Sequence, residues 1–289
     1  LPSVGNGAVL RDLIASNVVP VTMLTHTFRQ DNSSCLYANI CNVREGKPVF
    51  KDGKDFHPML LDENCTEQEA MKTLQNIYAK EIEKYGKENV VVLLPYRKKG
   101  ICSNALNNRL QRIANSERSG YRHYCKADDN TLFFMKHDLV MQLSNRDECA
   151  NGDVGEVLDV SPRGVLVNFN DKEVLYSLDD LDQLCLAYAM TVHKSQGSEY
   201  KSVIVCMMNC HIAMLTRNLL YTGITRAKKE CRIVGEKEAV DAAILANDIE
   251  FRNTKLADRL KHFDMEKYEE IHESSVRTKE NDWRDEADD

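Results

Sequence analysis

Residues 191–200 read TVHKSQGSEY. Ten positions hold two serines, a threonine, a histidine, a lysine, a glutamine, a glycine and a glutamate. Thr191, His193, Lys194 and Ser195 can all donate to phosphate oxygens, and Glu199 can accept from a ribose hydroxyl. Gly197 permits a tight turn and close backbone approach. A second group lies at 216–229, TRNLLYTGITRAKK. On a helix, Thr222, Thr225 and Arg226 fall within about one turn. A guanidinium fixed on a rigid element suits the charge that spreads over a phosphoryl group in its transition state. A third group is THTFRQ, with Arg29 just after an apolar run. Each has a plainer reading as a surface turn or the basic end of a helix, so the three carry weight only together.

The elements around them must hold these groups in place. LCLAYAM precedes the 191–200 loop and KSVIVCMM follows it. Both are too continuously apolar for a sheet with one wet face, which implies parallel strands covered on both sides. In such sheets ligands bind beyond the carboxyl ends of the strands, and the loop is expected there. ENVVVLLP is another buried strand, and Pro95 ends it. Thr66 and Glu69 form a capping-box pattern, followed by Met71, Leu74, Ile77, Tyr78 and Ile82 on one helix face. Another helix is expected from near Ser33 to Gly46. Residues 47–65 read as irregular, and PVTML at 20–24 as a strand. Ser103 is expected to cap a helix with Leu106, Leu110 and Ile113 inward. The CRIVG strand follows a helix over 213–229, and a further helix runs from Glu236 to Asn247.

From about 132 to 184 the rhythm changes to short apolar runs separated by NGD, SPRG and NDK turns. That pattern predicts a small antiparallel barrel inserted in an α/β domain. The boundaries expected are 1–25 for a leading segment, 26–131 with 185–260 for the α/β domain, 132–184 for the insertion, and 261–289 for an acidic tail.

Net charge is −7 over 289 residues, but it is unevenly spread. Residues 261–289 hold 5 Lys/Arg and 11 Asp/Glu, leaving about −1 for the rest. Between Pro95 and Arg122 stand Arg97, Lys98, Lys99, Arg109, Arg112, Arg118 and Arg122 against a single acid, Glu117. Local charge of this kind is what meets a phosphate backbone. The ten cysteines contain no CxxC pair, so no metal is expected and reduced thiols in a cytoplasmic protein are. No apolar run approaches the roughly 20 residues of a membrane-spanning helix.

TVHKSQGSEY followed by NLLYTGITRAKK resembles motifs V and VI of superfamily 1 helicases. LPSVGNGAVLRDLI, LTHTFRQ, LLPYRKKG to ALNNRLQ, NGDVGEV and RNTKLADRL extend the resemblance to RecD-like DNA helicases over roughly residues 1–260. The resemblance implies a second RecA-like domain with an inserted SH3-like barrel. The segment before residue 25 would then be the end of the first RecA-like domain. It implies that Arg29 and Arg226 reach the γ-phosphate of ATP, with Gly197 and Glu199 near the nucleotide. Thr191 and His193 would face single-stranded DNA, with Arg97 and Lys98 near its backbone; Lys194 and Thr222 are counted with them. It implies 5′ to 3′ movement, with ATP and Mg²⁺ as cofactors. The barrel departs from the family pattern at Asn145-Arg146-Asp147 and at Ala150.

A motor also needs G-x-x-x-x-G-K-[ST] to cradle phosphates. Each Gly-Lys pair fails: Lys47 runs into Pro48, Lys54 into Asp55 and Lys87 into Glu88. The expectation is a C-terminal fragment, inactive alone, whose partner is a first RecA-like domain of the same polypeptide. Related alternatives are a conjugative relaxase-helicase or a Pif1-like helicase. From another class, the alternative is a non-catalytic module that binds single-stranded nucleic acid.

Overall fold

A computed structural model of the protein describes residues 7–23, 31, 33–48, 50–98, 100–115, 123–127, 130–246 and 254–263; for 123–127 and 130–132 only the backbone is described. The larger of two compact units spans 27–249. Its centre is a five-stranded parallel sheet of β1 (Phe56–Leu61), β2 (Val90–Leu94), β10 (Ala189–Thr191), β11 (Tyr200–Met207) and β12 (Ala227–Glu236). Their spatial order is β10-β2-β11-β12-β1. Every residue of β2 is buried, as a central strand covered on both faces requires.

The helices pack on the sheet in two groups. One is α3 (Glu67–Tyr85) with α4 (Ser103–Ala114), against β2, β10 and β11; the other is α2 (Cys35–Glu45), α5 (Arg217–Ile224) and α6 (Lys237–Leu245), against β1, β11 and β12. The capping box of α3 forms as its sequence predicts: Glu69 N donates to Thr66 Oγ1 and Thr66 N to Glu69 Oε2. Ser34 caps α2, and Gly46 ends it at φ +73.

Ser103 is not a cap. It is the first residue of α4, and the backbone carbonyls of Tyr96 and Arg97 accept from Ser103 N and Asn104 N instead. Those first-turn donors have no partner within the helix, so the bonds pin the loop that carries Arg97.

Residues 56–61 are a strand, not the irregular stretch expected. Pro58 masks it in the sequence, but among the described residues β1 is an edge strand paired with β12 alone, where a missing N–H is tolerated. Residues 20–23 take no regular structure, and Leu24 lies outside the described residues. The helix expected over 213–229 is shorter, because β12 begins at Ala227.

A hairpin of β3 (His123–Ala127) and β4 (Asn130–Phe134) precedes a five-stranded antiparallel sheet. This sheet contains β5 (Leu139–Gln142), β6 (Val154–Ser161), β7 (Gly164–Phe169), β8 (Lys172–Tyr176) and β9 (Leu184–Leu186), in the order β8-β7-β6-β5-β9. LCLAYAM, which reads as one strand, is therefore two: β9 closes the antiparallel sheet and β10 enters the parallel one. Asn107 of α4 bridges the junction. Its Nδ2 donates to Leu186 O and Ala189 O, and its Oδ1 accepts from Ala189 N. Asp138 ties the insertion to the core as well. It is fully buried and accepts from Gln111, Asn115, Tyr188 and the backbone of Met135 at 2.6–2.9 Å. Burial raises its pKa, and these donors work against that rise.

The amino-terminal half of the parallel sheet carries a partly buried ionic network around two buried carboxylates, Glu81 and Glu230. Arg232 spans Glu81 and Glu230 at 2.7 Å each; Ser202 donates to Glu81, and Lys84 and Tyr85 to Glu230. The second compact unit comprises residues 2–26 and 250–289, and within it α1 (Val9–Ser16) packs on α7 (Leu256–Lys261). Residues 250–260, read from sequence with the α/β domain, are grouped here.

Candidate nucleotide- and DNA-facing site

The 191–200 loop joins opposite edges of the parallel sheet. Thr191 ends β10 beside Leu94, the last residue of β2, at the carboxyl edge. Ser202 of β11 lies beside Val90, the first residue of β2, at the amino edge. Both strands run parallel to β2 on its two sides, so the chain must return across the sheet between them. This corrects the expectation that the whole loop sits at the carboxyl edge: only its first half does.

The loop is bonded within itself. Thr191 O accepts from Lys194 N and Ser195 N, His193 O from Gln196 N, and Ser195 O from Ser198 N. Ser195 is fully buried and its hydroxyl donates to Val192 O at 2.8 Å, so it is a brace rather than a phosphate donor. Gly197 takes φ +88, and a Cβ added there would meet nothing within 4 Å. The strain there belongs to the backbone alone.

At the carboxyl edge, Thr191, Lys194 and Arg97 line one small depression with Asn104 and Met190. Arg97 and Lys98 are exposed, as is His193. Partial burial lowers the His193 pKa, so at neutral pH it is an uncharged hydrogen-bonding group. Lys194 Nζ donates to Asn151 Oδ1, in the connection between β5 and β6, at 2.5 Å, a partner that the sequence did not suggest.

At the amino edge, Arg226 immediately precedes β12. Its Nε donates to Thr222 O at 3.1 Å and its Nη1 to Ser198 O at 3.3 Å, while its own carbonyl accepts from Tyr200 N. The guanidinium thus rests on the second half of the loop. Glu199 pairs with Lys228 at 2.5 Å. Thr222 is only 7% exposed, which leaves its hydroxyl little surface for DNA. Arg29, Lys99, Arg118 and Arg122 lie outside the described residues. Among the described residues no cluster of three His, Cys, Asp or Glu could hold a metal ion, and no helix is long and apolar enough to cross a membrane.

Sequence and fold are similar to one class of protein. Residues 186–234, from β9 into β12, match the UvrD-like helicase C-terminal domain. A Pif1 helicase from Candida albicans shares the fold, with a TM-score of 0.50 and 16% identity over 78% of this chain and 58% of that one.

Within that class the likeness is to RecD-type enzymes. The chain is 31% identical to the ATP-dependent RecD2 DNA helicase of Deinococcus radiodurans over 90% of its own length and 34% of that protein. It is 41% identical to the RecBCD enzyme subunit RecD of Mycobacterium tuberculosis over 32% of its own length and 16% of the subunit. The chain resembles the C-terminal part of a RecD-like superfamily 1 helicase, and spans about a third or less of the length of these relatives.

Proposed function

We propose that this chain is the second motor half of an ATP-dependent DNA helicase of the RecD-like kind, moving 5′ to 3′. Arg226 and Arg29 act on the γ-phosphate of ATP, while Gly197 and Glu199 lie beside the nucleotide. Thr191, His193, Lys194, Arg97 and Lys98 grip single-stranded DNA. ATP and Mg²⁺ are held chiefly by a Walker A-bearing RecA-like domain. The antiparallel sheet serves as the inserted SH3-like barrel of this reading. The observation that carries it is the course of the loop. One internally bonded segment starts among Thr191, Lys194 and Arg97 and ends against the Arg226 guanidinium. A motor that couples DNA movement to hydrolysis needs such a shared element.

ATP turnover tests it. The 289-residue chain alone should not hydrolyse ATP, and robust turnover by it would refute the half-site reading. In a protein that joins it to a Walker A domain, Arg226→Ala should lower kcat by about 10³-fold or more, as for an arginine finger. DNA affinity should stay within about twofold. Equal losses in both would reassign Arg226 to DNA contact.

A further inference from the structure

We propose that Asn151 is a positioning residue for DNA binding: it holds the Lys194 ammonium where the phosphodiester backbone of single-stranded DNA passes Arg97 and Thr191. The inference rests on the DNA-facing reading of the carboxyl edge and adds a residue from the β5–β6 connection to it.

Lys194 leaves the loop next to Thr191 and lines the depression that Arg97 also borders. A lysine side chain carries roughly 2 kcal/mol of rotamer entropy, which a phosphate contact must otherwise overcome on binding. Here Nζ is already anchored on Asn151 Oδ1 at 2.5 Å. An ammonium has three donors and Asn151 takes one, so the anchor leaves chemistry for a phosphate oxygen.

The anchor is itself built to stay. Asn151 N donates to Asn145 Oδ1 at 2.9 Å, and Ala150 N to Asp153 Oδ2 at 2.8 Å. Gly152 N donates to Gln142 O, and Gln142 N to Asp153 O, both at 2.9 Å. Gly152 takes φ +100, which closes the Asn-Gly-Asp turn tightly. The turn is thereby fixed to β5, and β5 to the core through Asp138.

The test is a double-mutant cycle on the 289-residue chain, read by fluorescence anisotropy of a labelled oligothymidylate over a salt series. For single strands, each phosphate contact contributes about 0.7 to the slope of log K against log salt. Lys194→Ala should reduce the slope by about that amount. Asn151→Ala should weaken binding in the same direction at low salt, and in the Lys194→Ala background it should have no further effect. Urea midpoints of all variants check that the fold is retained. Equal effects of Asn151→Ala with and without Lys194 would overturn the inference, as would no effect in the parent chain. If the parent itself shows no salt-dependent binding, the DNA-facing reading falls first and the inference with it.

Discussion

Asn107→Ala should destabilise the protein far more than a surface polar substitution. Asn107 is 3% exposed and makes three hydrogen bonds, to Leu186 O at 2.9 Å, to Ala189 O at 2.8 Å and from Ala189 N at 2.7 Å. These join α4 to the point where the chain leaves the antiparallel sheet for the parallel one. A neutral hydrogen bond contributes about 0.5–1.5 kcal/mol net, and a buried donor left without a partner costs about 1–3. Loss of all three therefore comes to about 2–4 kcal/mol, against a typical total of about 5–15. With a urea m-value of about 3 kcal/mol/M, the midpoint should fall by about 1 M. Asn107→Asp is the sharper probe, because it conserves volume. One oxygen keeps Ala189 N, but the other faces two carbonyl oxygens with no proton to offer. At pH 7 this variant should be at least as unstable as Asn107→Ala, and it should recover part of the loss in acid, where a protonated carboxyl can donate again. An Asp variant within about 0.5 kcal/mol of the parent at pH 7 would refute the bonding account and leave Asn107 as mere filling.

Three further outcomes follow from buried groups and from the loop. His211 is fully buried, its Nδ1 accepting from Met208 N and its Nε2–H donating to Ile101 O. Burial lowers its pKa, so the unfolded chain takes up the proton first; stability should fall as pH drops below about 6.5, and urea midpoints for His211→Gln should lose part of that dependence. Arg232→Met should cost about 3–5 kcal/mol by urea unfolding, because it leaves Glu81 and Glu230 buried, each without its guanidinium partner. For Glu230, burial acts to raise the pKa, but Lys84, Tyr85 and Arg232 outweigh it and the net shift is downward. The stability it contributes is present above the ordinary glutamate range and is lost as pH falls through the lowered value. Gly197→Ala should cost about 1–2 kcal/mol through its positive φ with no steric clash, and thermal unfolding checks it.

What could be read from the chain was whatever local chemistry dictates. The Thr66–Glu69 capping box, the Gly46 stop and the buried strands at 90–94 and 200–207 each rest on neighbours within a few residues. Several of the misses are long-range. Pro58 reads as a breaker until β1 is known to be an edge. LCLAYAM gives no hint of its division, because buried strands of either sheet demand the same apolar residues. The signal for that division was Asn107, one of several polar residues on the buried face of α4, whose bonding needs are met by the passing backbone. Ser195 looked like a phosphate donor because residue type alone cannot say which hydroxyls a loop spends on itself. Asn151 and Lys228 lie 43 and 29 positions from their partners Lys194 and Glu199, and nothing local pairs them.

The stiffness of the 191–200 loop decides how the two edges of the sheet can communicate. A slack loop would absorb a displacement at Thr191 before it reached Ser198. This one cannot easily do so, since five backbone bonds and the buried Ser195 hydroxyl link its turns in series. Its far end is held by Arg226 on Ser198 O, and its near end by Val192 N on Leu94 O. On the helicase reading, a strand of DNA pulling on Lys194 would move the carbonyl on which the Arg226 guanidinium rests. The coupling would then pass through bonds to the backbone rather than through side chains facing each other. That makes Ser198→Ala an expected silent change, since only the carbonyl is used. Shortening the loop by deleting Gln196 should uncouple DNA-stimulated from basal ATP turnover in a protein carrying both motor halves. Unaltered stimulation by DNA in the deletion variant would place the coupling elsewhere.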